Sequence, residues 1–204
     1  MASVVAHLIY AQKYFEKHPM PNGDEDLFML GCVFPDIRRV DETIKRKDTH
    51  RCFNCLDLNF TGLLPFQAGW KFHLYCDMRR EEILKKYKFY ELDSAMESWN
   101  QPAKNLEDEL LYEQYNNWEK LRHYFNNIPV IENEINVPYE TMALWYAMIA
   151  KYIEKKPDSK TMKIFLLKQI GFADKAGPIS EVVDKLRKNA KVAEILKKVA
   201  EEIV

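Results

Sequence analysis

Glycine is scarce in this chain, with 6 in 204 residues beside 9 prolines and 4 cysteines. Few glycines leave few left-handed turns, and no stretch sustains the apolar–polar alternation of a half-buried strand. A sheet-rich fold is therefore not expected. A chain of this length buries roughly 70% of the surface its unfolded form exposes, so it can build a core without disulfides. No apolar run approaches the ~20 residues of a membrane span. The longest candidate, TMALWYAMIAKYI, is short and carries Lys151. The opening MASVVAHLIYAQKYFEKH has no basic region ahead of its apolar patch, which His7 and Gln12 interrupt. A secretory signal is therefore not expected either. The resulting expectation is a cytoplasmic protein whose cysteines are thiols. Net charge is also small, −1 at pH 7, so global charge gives no attraction for nucleic acid.

What the sequence does contain is helical spacing. Val4, Leu8, Ala11 and Phe15 form one stripe of a helix over 4–17. Asp24 is placed to cap a second helix running to about Gly31, which Pro35 ends. Asp48 or Thr49 would cap a further short helix. A long one is predicted from Pro65 to Tyr90, and another from the acidic start at Asn105, through Trp118, to about Phe125. Pro138 opens a helix that stops before Pro157, Ser159 caps one that Gly171 ends, and the tail from Pro178 carries Val192, Ile195, Leu196, Val199 and Ile203 at helical spacing. The fold class is all-α. Residues 1–156 are expected to hold the functional domain, with 157–204 a Lys-rich helical extension packed on it. The Val192–Ile203 stripe is core or, alternatively, a homodimer contact.

The chemistry lies in the first 77 residues. His73 and Asp77 are four apart, so on a helix they share a face and can ligate one metal. Alone, such a pair is ordinarily just hydrogen-bonded. It has company, however. His7 sits in the apolar first helix, Asp36 follows Pro35 at a helix end, and His50 lies 14 residues later. The intervening segment is basic, and Arg39 and Arg51 each fall within three residues of a candidate ligand, placed to clamp phosphate oxygens. Cys52-x-x-Cys55 offers half of a structural zinc site, but Cys32 and Cys76 are single, and small buried thiols are the plainer reading.

The order Ala6-His7-Leu8, Leu30-Gly31, Pro35-Asp36-Ile37, His50-Arg51, Gly69 and His73-x-x-x-Asp77 resembles the zinc-dependent phospholipase C-like family, over roughly the first 80 residues. The resemblance implies an all-helical bundle like the phospholipase C/P1 nuclease fold. It also implies a divalent-metal site in which Asp36, His50, His73 and Asp77 surround one ion, and Asp77 bridges to a second that His7 also binds. Zinc is the first candidate, with iron, manganese or nickel as alternatives. No His-x-x-x-Glu follows Asp77, so one or two ions are implied and not three. The implied activity is hydrolysis of a small phosphoester by a metal-activated water, with Asp77, Arg51 and Arg39 as catalytic candidates. The HD-type phosphohydrolases also build helical His/Asp sites, but their His-Asp dipeptide is missing here. A non-catalytic helical domain, with a structural metal or a buried His/Asp network, is the other alternative.

Overall fold

A computed structural model describes residues 3–21, 23–50, 53, 55–92, 100–133 and 135–204. Among the described residues there are ten α-helices and no strand. They are α1 (Val4–Lys17), α2 (Asp24–Val33), the single turn α3 (Arg46–Thr49), α4 (Pro65–Lys86), α5 (Asn100–Leu111), α6 (Trp118–Asn126), α7 (Tyr139–Tyr152), α8 (Ser159–Leu167), α9 (Ala176–Arg187) and α10 (Ala190–Glu202). None is long and apolar enough to cross a membrane.

The fold is organised around α2 and α4, whose backbones touch. A Cβ added to Gly31 would lie 2.1 Å from the Phe66 carbonyl oxygen, and one added to Gly69 would lie 2.0 Å from that of Phe28. Both positions are helical, so glycine is needed here for close approach and not for an unusual φ. Helix α1 crosses this pair, and Tyr14, Phe15, Phe28, Phe60 and Phe72 fill the junction with edge-on and tilted rings. Trp145 Nε1 donates to Val33 O at 2.9 Å, and Tyr146 Oη to Leu30 O at 2.9 Å. These two bonds dock α7 on the last turn of α2, where Leu30 O also accepts from Phe34 N.

Helix α5 departs most from expectation. It is already helical at Asn100, not starting at Asn105, and it ends at Leu111. A 3-10 turn at Tyr112–Gln114 follows, and α6 begins afresh at Trp118. Glu107 and Asp108 do not decorate a first turn. Both are buried, as are Lys104 and Asn105. Glu107 Oε2 accepts from Arg80 Nε at 2.7 Å with both side chains fully buried, and Glu107 Oε1 accepts from Tyr10 Oη. A charged pair there ties α4 to α5 and replaces the solvated face that the sequence suggests.

Smaller corrections concern the ends of helices, where N-caps fall one to four residues earlier than their side chains suggest. Gly23, with φ 93°, precedes α2, so Asp24 is the first helical residue. Lys45 precedes α3, and Asp48 reaches back to accept from its amide at 2.8 Å. Asp158, not Ser159, caps α8 by accepting from Thr161 N at 2.7 Å. Helix α4 ends at Lys86, short of Tyr90, and Lys88 turns left-handed at φ 54°. Pro35 does not open a loop: Phe34–Arg39 continues from α2 as a 3-10 helix with the proline in its first turn.

The C-terminal helices share the same core. Val192, Ile195, Leu196, Val199 and Ile203 are all buried within the chain, so that stripe is not available as a dimer contact. Helix α9 packs on α5, and α10 on α4 and α5. Lys13 Nζ donates to Ala200 O at 2.6 Å, Lys86 pairs with Glu202 at 2.6 Å, and Arg187 pairs with Glu109 at 2.7 Å.

Candidate metal centre

His7 lies in the second turn of α1, and His73 and Asp77 lie one turn apart on α4. The crossing of these helices stacks the two imidazoles at 3.9 Å between centroids, with 7° between planes. Their other nitrogens are fixed by backbone carbonyls. His7 Nδ1 is 3.0 Å from Ser3 O, and His73 Nδ1 is 2.7 Å from Cys32 O. A carbonyl can only accept, so each Nδ1 carries the proton and each Nε2 presents a lone pair.

Those lone pairs face a carboxylate. His7 Nε2 lies 3.5 Å from Asp77 Oδ1, and His73 Nε2 lies 3.5 Å from Asp77 Oδ2. Both Nε2 atoms are buried, and neither has a hydrogen-bond partner among the described residues. Two lone pairs set against an anion in a buried site repel one another unless a cation lies between them. Adding a proton to His73 is opposed by burial and by the stacked His7, which press its pKa down to about 3 against the pull of Asp77. A metal ion fits better. Ligands at ~2.0–2.1 Å from a tetrahedral zinc are separated by ~3.4 Å, close to the spacing observed. The Nδ1–carbonyl bonds are the outer contacts that metal-binding histidines ordinarily make. The three residues bring ligand atoms within 4.8 Å of one another.

Asp36 and His50 lie nearby but outside the group of three whose ligand atoms converge. The His50 ring stands edge-on to His73, 5.7 Å between centroids. Burial lowers the His50 pKa to about 4, against an upward pull from Asp36. Burial pushes the Asp36 carboxyl up, but His73, Arg38 and His50 outweigh it and hold the group below the usual carboxylate range. Asp77 behaves alike: burial raises it, while His73 and His7 bring it well below normal.

Arg39 is held by partners of its own. The Arg39 guanidinium sits 4.0 Å over the Phe172 ring, and its Nη1 donates to Ile170 O at 3.2 Å. Arg51 and Cys52 lie outside the described residues, and Cys55 is exposed. Glu109 and Glu113, the acids at the end of α5 and in the turn after it, pair with Arg187 and Lys156.

Sequence reasoning missed what α5 contributes. A small cavity of about 40 Å³ adjoins Asp36 and is lined by Arg39, Lys104, Asp108, Tyr152 and Gln169. Burial and nearby Arg80 lower the Lys104 amine to about 8, while Asp77 and Asp36 pull it back up. Asp108 Oδ1 accepts from Ala6 N at 2.9 Å and Oδ2 from Tyr152 Oη at 2.9 Å. It therefore caps α1 from another helix, because the Ser3 hydroxyl is turned away to donate to Lys104 O at 3.0 Å. Desolvation raises the Asp108 carboxyl to about 7 in spite of these bonds. Nothing local in the run AKNLEDEL distinguishes such inward groups from a solvated face. No family model, curated protein or solved structure matches the chain.

Proposed function

We propose that the chain is a metal-dependent hydrolase of a small phosphoester, on a helical frame of the phospholipase C/P1 nuclease kind. The observation that carries the reading is the pair of buried, carbonyl-fixed imidazoles aiming both Nε2 lone pairs at one carboxylate. His7, His73 and Asp77 would hold the metal, with Asp36 and His50 completing one or two coordination shells. Zinc suits the nitrogen-and-oxygen donor set, and iron, manganese or nickel would also fit. Bound there, the metal supplies a water of pKa near ~7 and Lewis-acid polarisation of the phosphoryl group.

The remaining work falls to the chain's own side chains. The Ser3 and Cys32 carbonyls would orient both imidazoles and hold the tautomer with the proton on Nδ1. Lys104, buried at the cavity, is placed to offset charge on the non-bridging oxygens. Arg39, which the sequence offered for that role, braces the cavity wall through Phe172 and Ile170. A catalytic metal would need an open position, and the cavity beside Asp36 is the space next to the centre that could supply it, although none of His7, His73 and Asp77 lines it. The structural reading has its own support in the near-complete burial of His7 and His73.

Elemental analysis of purified protein, reconstituted with Zn, Mn, Fe or Ni, should give one or two ions per chain. Asp77→Ala should lose at least one. A wild type that takes up no metal would sink the site. Aryl phosphate mono- and diesters then test catalysis. Stoichiometric metal with no turnover of any of them would favour the structural role.

A further inference from the structure

Helices α7 and α8 form a hairpin that leaves a groove on the outer surface, separate from the metal centre. Its volume is about 450 Å³, within the ~300–1,000 Å³ range of small-molecule sites. Met148, Ile164, Tyr152 and Phe165 make an apolar floor, and Lys151, Lys155, Lys160 and Lys168 stand around the rim. Ile164 is 48% exposed, so the floor presents a large aliphatic side chain to solvent. An apolar floor open to solvent marks an interaction site more often than chance.

The rim charge indicates what fills it. Lys160 and Ile164 on α8 and Lys168 at its C-terminal cap recur every four residues and all line the groove, which puts an aliphatic side chain between two ammonium groups. Lys151 and Lys155 are partly neutralised by Glu154 and Asp158. No ion pair among the described residues involves Lys160 or Lys168, and both are exposed. We infer that the α7–α8 groove binds a single-chain anionic amphiphile, its alkyl chain on Met148, Ile164 and Phe165 and its carboxylate or phosphate head on the Lys160 and Lys168 ammonium groups. The inference stands independently of the metal reading.

The floor has a second side. Tyr152 and Phe165 stack at 4.2 Å and also line the cavity beside Asp36. Through its hydroxyl Tyr152 holds Asp108, which caps the helix that carries His7. A chain lying on these rings therefore touches a partition shared with the candidate active site.

The test uses the intact protein and monomeric laurate, below its micelle threshold, in calorimetric titration. We expect saturable one-to-one binding that shifts the Tyr152 and Phe165 ring-proton resonances. Laurate should bind at least tenfold more tightly than dodecyltrimethylammonium. Lys160→Glu/Lys168→Glu should weaken laurate at least tenfold, and Ile164→Glu should do likewise. Both variants change exposed side chains, and unchanged thermal melts would verify that they fold. Absence of laurate binding, equal binding of the cationic amphiphile, or variants that bind like wild type would each overturn the inference. So would binding to anionic phosphatidylglycerol vesicles without binding to monomeric laurate, which would make this face a membrane contact and not a groove for one chain.

Discussion

At the scale of single residues, burial and partnering set opposite proton affinities a few ångströms apart. His73 is pressed down to about 3 by desolvation and its stacked neighbour, and Asp108 is raised to about 7 by desolvation. The consequences for stability have opposite signs. An unfolded histidine titrates near ~6.5, so between there and its folded value the unfolded chain holds the extra proton, and His73 makes stability rise with pH. An unfolded aspartate titrates near ~3.9, so up to pH ~7 the folded chain holds the extra proton, and Asp108 makes stability fall as pH rises. The two slopes oppose each other in the metal-free protein. Asp108→Asn removes one of them and keeps a carbonyl to accept from Ala6 N. Its stability relative to wild type should therefore increase by about 1 kcal/mol per pH unit from pH ~4 to ~7 and then level off. Urea denaturation at several pH values measures this, and a difference that does not vary with pH would show Asp108 ionised in the fold.

At the scale of elements, the short motif pieces Leu30-Gly31 and Gly69 prove to be packing features. The two glycines let α2 and α4 meet backbone to backbone, and the His73–Cys32 carbonyl bond spans that contact. Gly69→Ala should push the helices apart at the Phe28 carbonyl, costing about 3 kcal/mol or more. Metal uptake should fall with it, since His73 would lose its orienting carbonyl. A Gly69→Ala protein with wild-type stability in denaturant and full metal loading would refute this. Arg80 and Glu107 make a second inter-element link. Removing one charge alone leaves the other buried, so Arg80→Met should cost roughly 3–5 kcal/mol, and adding Glu107→Leu should recover part of that loss. Denaturation of both variants tests the coupling, and additive losses would contradict it.

Helical periodicity was legible because it follows from local geometry: Val4 to Phe15 and Val192 to Ile203 lie on stripes whichever neighbour covers them. The same holds for His73 and Asp77, which share a face on any helix. His7, Asp36 and His50 were readable as candidates from their order along the chain, but bringing His7 onto His73 and Asp77 depends on how α1 crosses α4, and Asp36 and His50 stay outside that group of three. The α5 groups were illegible for a related reason. Lys104, Glu107 and Asp108 carry the composition of a solvated surface, and only the covering by α1, α9 and α10 turns them inward. Arg39 misled for the converse reason. Proximity in sequence to Asp36 said nothing about Phe172, which α8 and its following turn bring over the guanidinium.

At the scale of the whole molecule, the division into a functional part and an extension can be tested directly. The apolar residues of α9 and α10 belong to the one continuous buried cluster that includes α1, α4 and α5. Leu106 and Leu111 of α5 are fully buried in it, as are Val183 of α9 and Leu196 of α10. Cutting the chain after Lys156 would uncover that side of α5 and α4 and strip Glu109 and Lys86 of their partners. Exposed apolar surface of that extent is not stable in water. Residues 1–156 alone should therefore aggregate or lose fixed tertiary packing, with a broad thermal transition by circular dichroism and poorly dispersed amide resonances. The loss should reach the metal centre as well, because α5 holds the first turn of α1 through Asp108 and Lys104 O, and His7 follows directly from that turn. A fragment that melts cooperatively and still binds metal stoichiometrically would show that the C-terminal helices merely rest on a domain complete without them.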